Sequence, residues 1–100
     1  MPRFAVSIKA LADLKKIGQY TEKSWGREQR NSYLGMIDSC FQQLALNPDK
    51  GKDCGCGYVR KGYRKYIVGR HIIFYRMADS NSIEIIRVLH GRMDIGKELI

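Results

Sequence analysis

No apolar run in this sequence approaches the ~20 residues a helix needs to cross a bilayer, and the opening MPRFAVSIKA lacks the apolar stretch and small-residue cleavage site of a signal peptide. A cytoplasmic protein is the expectation. Three cysteines, an odd number in a chain without an export signal, argue against a disulfide framework. Internal repeats, low-complexity tracts and linkers are missing as well. Acidic residues are scarce, ten against eighteen Lys and Arg, for a net charge of +8 and a pI near 9.6. Such an excess favours a polyanion or an acidic protein as partner, the bland alternative being a solvated basic surface. The basic residues are spread along the chain without the clustering of a dedicated nucleic-acid reader. One hundred residues make one domain, 1–100, with a modest core and a stability of about 5–10 kcal/mol.

What the sequence does have is concentrated between Arg60 and Arg92, where most of its β-branched and aromatic residues fall into three runs separated by short turns. They read as a β-meander: Tyr63 to Val68, a tight turn at Gly69-Arg70, His71 to Met77, a polar turn from Ala78 to Ser82, and Ile83 to His90. The alternation is not clean. Ile72 and Phe74 point one way and Ile73, Tyr75 and Met77 the other, while Ile83, Ile85 and Leu89 oppose Ile86 and Val88. Both faces are therefore largely apolar, and the sheet needs cover on both sides.

Upstream, Arg3 to Val6 reads as a first strand and Ser7 as the cap of a helix whose apolar stripe is Leu11, Leu14, Ile17, Tyr20 or Thr21, and Trp25. Gly26 stops it. A second helix spans Arg27 to Leu46, with Tyr33, Leu34, Ile37, Cys40, Phe41, Leu44 and Ala45 on its stripe and Asn47-Pro48 as its stop. The short connection predicts an antiparallel helical hairpin on one sheet face. Asp49 to Gly57 reads as a loop, Tyr58-Val59-Arg60 as a short strand, and Arg92 to Ile100 as a terminal helix or tail. The fold class is α+β: an N-terminal strand, a helical hairpin, then three or four antiparallel strands. The second apolar face is left for the C-terminal piece, a second copy or a partner, and an exposed apolar patch on so small a domain marks an interaction site.

Cys54 and Cys56 form a C-x-C pair in a glycine-rich loop, but a zinc site would need two further ligands, with only His71 and His90 available from histidine. Surface thiols are the simpler reading, so no metal and no cofactor are expected.

In order and spacing the chain resembles the toxins of bacterial type II toxin–antitoxin modules in the RelE/ParE superfamily, and within it the ParE branch. The resemblance is carried by Ala12-Asp13-Leu14 with Ile17 and Tyr20, Trp25-Gly26, Tyr33 and Ile37, Leu44-Ala45 before Asn47-Pro48, Gly62-Tyr63-Arg64, Gly69 through Arg76, and Ile85 through Asp94. The DCGCG loop departs from it. The resemblance implies a cognate ParD-like antitoxin, acidic at its C-terminal segment, which becomes ordered as it wraps the toxin. DNA is then reached only through the antitoxin. We expect the wrapping segment over Arg64, Tyr66, Ile73, Tyr75, Ile86 and Val88. The implied target is DNA gyrase, with the stretch Leu89, His90, Gly91, Arg92, Met93 and Asp94 as the expected toxicity determinant.

The RelE branch of the superfamily consists of ribosome-dependent mRNA endonucleases. Metal-free RNA cleavage needs a base, cations for the phosphate and an acid for the leaving oxygen. His90, Arg64, Arg87, Arg92 and Tyr63, with Tyr66 as a second proton donor, are the candidates. Against that reading, His90 closes a strand, the arginines are solvated or paired with Glu84 and Asp94, and the tyrosines pack in the sheet. We therefore expect no catalysis. A non-toxic, antitoxin-binding remnant of the fold is a third reading.

Overall fold

The structure, a computed structural model, describes residues 3–53 and 62–91. Ser7 fixes where the helical part begins. Its hydroxyl accepts the Ala10 N–H at 3.0 Å and donates to the Ile86 carbonyl at 2.7 Å, so the residue that caps the first helix also pins it to the last strand. Strand β1 (Arg3–Val6) precedes it, and helix α1 (Ile8–Trp25) follows. Gly26, at φ +94°, donates its N–H to Glu22 O and turns the chain into helix α2 (Arg27–Leu46). Glu22 then pairs with Arg30 at 2.8 Å, tying the two helices across their junction.

Strands β2 (Lys52–Asp53), β3 (Arg64–Val68), β4 (His71–Asp79) and β5 (Ser82–His90) complete a five-stranded sheet in the order β1-β5-β4-β3-β2. All pairs are antiparallel except β1 with β5, which is parallel, so the sheet is mixed and not purely antiparallel. The reason is topological: β2 runs opposite to β1, and the three antiparallel pairings that follow reverse the chain each time, so β5 recovers the direction of β1. The stretch read as a loop from Asp49 also contains β2, and the polar turn narrows because β4 and β5 run on to Asp79 and Ser82. The short strand expected at Tyr58 to Arg60, Cys54 and Cys56, and the piece from Arg92 to Ile100 lie outside the described residues.

The face towards the helices is the main core: Ala10 and Ile17 of α1 and Ile37, Phe41 and Leu44 of α2 pack on Ile73, Tyr75, Ile83, Ile85 and Val88. Tyr63, Phe74 and Leu89 cluster on the other face with Ile72 and Ile86. The division in β5 differs from the expected one because the register slips between Phe74 and Tyr75: Tyr75 faces Ile85 and Phe74 faces Arg87, leaving Ile86 as the extra residue of a bulge. Val88 is thereby turned inward and Leu89 outward. Phe74 and Leu89 are fully buried and Ile72 and Ile86 partly so, which means that most of the second apolar face is out of water without a partner chain.

The α1 stripe keeps its expected line at Leu14, Ile17 and Thr21 and departs from it at both ends. Ala10, Asp13, Ile17, Gly18 and Thr21 face inward, whereas Leu11, Tyr20 and Trp25 are exposed, the last two at 69% and 68%. Thr21 can be buried in place of Tyr20 because its hydroxyl donates to the Ile17 carbonyl at 2.7 Å.

Candidate functional site

Displacing Tyr20 and Trp25 from the core puts them on the lip of a cleft of about 700 Å³ between the helical hairpin and the β3–β4 turn. Lys16 joins them from α1. Tyr33 comes from α2, Arg70 and His71 from the turn and β4, and His90 from the end of β5. Three aromatic residues, Tyr20, Trp25 and Tyr33, and four basic or titratable nitrogen side chains line it, and no carboxylate does among the described residues.

The floor of the cleft is a hydrogen-bonded knot around the Tyr33 hydroxyl. It lies 2.6 Å from His71 Nδ1, accepts the Arg70 N–H at 3.1 Å, and is 3.4 Å from the Val68 carbonyl. The hairpin turn allows this approach because residue 69 is glycine. At φ +56° a Cβ would be strained, and it would stand 2.7 Å from the Tyr33 oxygen. His71 and His90 are cross-strand partners whose rings meet edge to face at 5.3 Å, and Tyr33 packs on His71 at 5.5 Å.

Burial, and then the neighbouring His90, hold the His71 imidazole below its ordinary pKa, with Asp13 pulling weakly the other way. A histidine that binds its proton less readily in the folded chain than in the unfolded one supports the fold only while neutral. Stability should therefore hold above the ordinary histidine value of ~6.5 and fall as pH drops through it towards the lower folded value. Urea unfolding at several pH values checks this. His71→Gln should flatten the wild-type dependence in that window, and an unchanged slope would contradict it.

The other predicted site residues do not converge. Arg64 donates to the Gly51 carbonyl at 2.7 Å and supports the segment beside β2. Tyr63 is buried in the cluster on the opposite face. Arg87 is engaged with Asp13, its Nε 2.7 Å from Oδ2, and not with Glu84, which pairs with Arg76 at 2.8 Å. His90 stands at the far end of the sheet from Arg64, since His90 faces His71 while Arg64 faces Tyr75. A nuclease centre built from Tyr63, Arg64, Arg87 and His90 therefore has no common point. Arg92, its fifth member, lies outside the described residues, as do Met93 and Asp94 of the expected toxicity determinant.

Of the residues expected under the antitoxin, Ile73, Tyr75 and Val88 are corrected to core positions, each almost wholly buried beneath the helices. The cause is that the helices cover this face, together with the β5 bulge. Arg64, Tyr66 and Ile86 keep part of their surface. Leu89 is likewise buried, while His90 is half-buried and Gly91 exposed. The cleft itself was missed. Its one signal in the sequence is that the chain's single tryptophan ends a helix immediately before a glycine, beyond the reach of the sheet.

The family model described as the ParE toxin of the type II toxin–antitoxin system, parDE, matches residues 5–95. A toxin ParE1 of Mycobacterium tuberculosis is 37% identical over 97 residues, 97% of each chain. A toxin ParE1 of Caulobacter vibrioides is 36% identical over 94 residues, 94% of each. Among solved structures, the chromosomal ParDE toxin–antitoxin system of P. aeruginosa superposes with a TM-score of 0.74 at 20% identity, over 90% of this chain and 96% of that one. The RelBE2 toxin–antitoxin complex of M. tuberculosis does so at 0.59 and 21%, over 90% and 99%. At those identities the two structures speak for the fold alone.

Proposed function

The chain belongs to the ParE toxin family of type II toxin–antitoxin systems, and on that footing we propose that it arrests growth by inhibiting DNA gyrase and is neutralised by an acidic, ParD-like antitoxin. The full-length likeness to curated ParE1 toxins carries this reading. Two physical observations agree with it. The net charge of +8 steers an acidic partner towards the chain. Ile8, Leu11, Tyr20 and Trp25 leave large apolar side chains of α1 exposed, surface of the kind a partner covers.

Inhibition then operates by binding. Arg64 and Arg87, which a metal-free ribonuclease would need as phosphate clamps, are committed to the protein's own carbonyl and carboxylate groups. His90 and Gly91, with Arg92, Met93 and Asp94, remain the residues proposed to meet the target. DNA is reached through the antitoxin.

A supercoiling assay with purified toxin, gyrase and relaxed plasmid tests the proposal. Loss of supercoiling or trapped cleavage complexes, relieved by the antitoxin encoded beside the toxin, is the expected result. Full supercoiling at saturating toxin would refute gyrase as target and make ribosome-dependent mRNA cleavage the next assay.

A further inference from the structure

The cleft has a chemistry that specifies what it can hold. Its lip is aromatic, and Trp25 and Tyr20 expose most of their surface in the isolated chain, so an apolar side chain entering there removes area from water on both sides. Beside the neutral Thr21, Gln29 and Tyr33, its lining carries Lys16, Arg70, His71 and His90. Among the described residues, the carboxylate that acts on His71 is Asp13, and it already holds Arg87 and the Val88 N–H. A segment that carries carboxylates beside an apolar side chain satisfies both requirements.

Resting on the toxin reading above, we propose that this cleft seats an acidic segment of the antitoxin, one apolar side chain lying against Tyr20 and Trp25 and a carboxylate closing on Arg70 and the His71–His90 pair, and that docking takes up a proton.

The uptake follows from the geometry. His71 is faced by the Tyr33 hydroxyl from α2, by His90 from β5, by Arg70 from the turn, and by Lys16 and Asp13 from α1. Burial first, and then His90, already make the imidazole bind its proton less readily in the free protein, and of these neighbours Asp13 alone pulls the other way. An incoming carboxylate reverses the balance and favours the imidazolium. The Tyr33 hydroxyl accommodates either state. With neutral His71 it donates to Nδ1. With the imidazolium, Nδ1–H donates to the hydroxyl, whose own proton can turn towards the Val68 carbonyl. Docking is therefore linked to protonation without breaking the contact between α2 and the turn.

Calorimetric titration of the full-length toxin with the antitoxin encoded beside it, between pH ~5.5 and ~7.5 and in two buffers of different ionisation enthalpy, reads both halves of the proposal. Affinity should rise towards acid by up to about tenfold per pH unit for each proton taken up. Trp25→Ala and Arg70→Glu, verified as folded by circular dichroism, should each weaken binding by about tenfold or more. His71→Gln with His90→Gln should abolish the proton uptake.

An antitoxin that binds tightly yet ignores Trp25→Ala and Arg70→Glu, or whose proton uptake survives loss of both histidines, overturns this inference and leaves the toxin reading intact. No complex at all overturns both. Quenching of Trp25 emission by a short single-stranded oligonucleotide, with none by the antitoxin, assigns the cleft to nucleic acid and likewise overturns the inference.

Discussion

Asp13→Ala is expected to lower stability by about 3–5 kcal/mol, a large part of what a domain this size possesses. The carboxylate serves two partners at once. Oδ2 accepts from Arg87 Nε at 2.7 Å and from the Val88 N–H at 3.1 Å, while Oδ1 accepts from Arg87 Nη2 at 2.8 Å. Both side chains are largely shielded, at 14% exposure for Arg87 and 9% for Asp13. Removing the acid takes the carboxylate away from both the Arg87 guanidinium and the Val88 N–H in a region of reduced dielectric. The site also explains how β5 manages its edge. β1 covers β5 only from Ser82 to Ile85, and beyond it Ser7 takes the Ile86 carbonyl and Asp13 the Val88 N–H, so α1 continues the edge that β1 leaves off. Urea unfolding of Asp13→Ala, Arg87→Met and the double variant gives the coupling. The double variant should recover much of the loss, because the cation that lost its carboxylate is gone as well. A loss below about 1 kcal/mol for Asp13→Ala would show the pair to be solvent-screened.

Tyr75→Phe is expected to cost about 2–4 kcal/mol, although it deletes one oxygen from a side chain that otherwise packs as phenylalanine would. That oxygen accepts the Gly51 N–H at 2.9 Å and donates to the Pro48 carbonyl at 2.6 Å, so a single hydroxyl closes the turn between α2 and β2 from beneath. Arg64 binds the Gly51 carbonyl from the other side. Gly51 is held tightly enough that a Cβ would overlap the Tyr75 hydroxyl. Hydrogen exchange at Gly51 and Lys52 should accelerate in the variant by more than global unfolding accounts for, since the lost bonds are local. Unchanged protection there would mean that water replaces the hydroxyl.

Much of this architecture is legible in the sequence because it rests on local signals. Ser7, Gly26 and Asn47-Pro48 bound the two helices, and Gly69 places the tight turn, each through backbone chemistry confined to a few residues. The errors share a different origin. Whether Val88 or Leu89 faces the helices is decided by a bulge in the pairing of β4 with β5, a non-local event that alternation along one strand does not register. Asp13 lies at the centre of α1's buried face because Arg87 waits across the sheet edge, and a pattern of hydrophobicity assigns an aspartate to solvent. An acid at that place hides the centre of the stripe, so the choice between Tyr20 and Thr21 stays open in the sequence and Trp25 is read into the core instead of onto the cleft. His71 opens a strand directly after a turn, where a polar residue is unremarkable until Tyr33, 38 residues away, is found against it.

The pairing of β1 with β5 has a temporal meaning. Residues such as Ser7 and Ile86, 79 positions apart, must meet before the sheet is closed. The first strand to leave the ribosome therefore waits for the last, with the helical hairpin already formed between them. During synthesis the chain is an unfinished scaffold whose β5, cleft and far end of the sheet do not yet exist. If the toxin reading holds, harm waits until β5 has joined β1, and an antitoxin present in the same cell meets a finished surface, not a growing one.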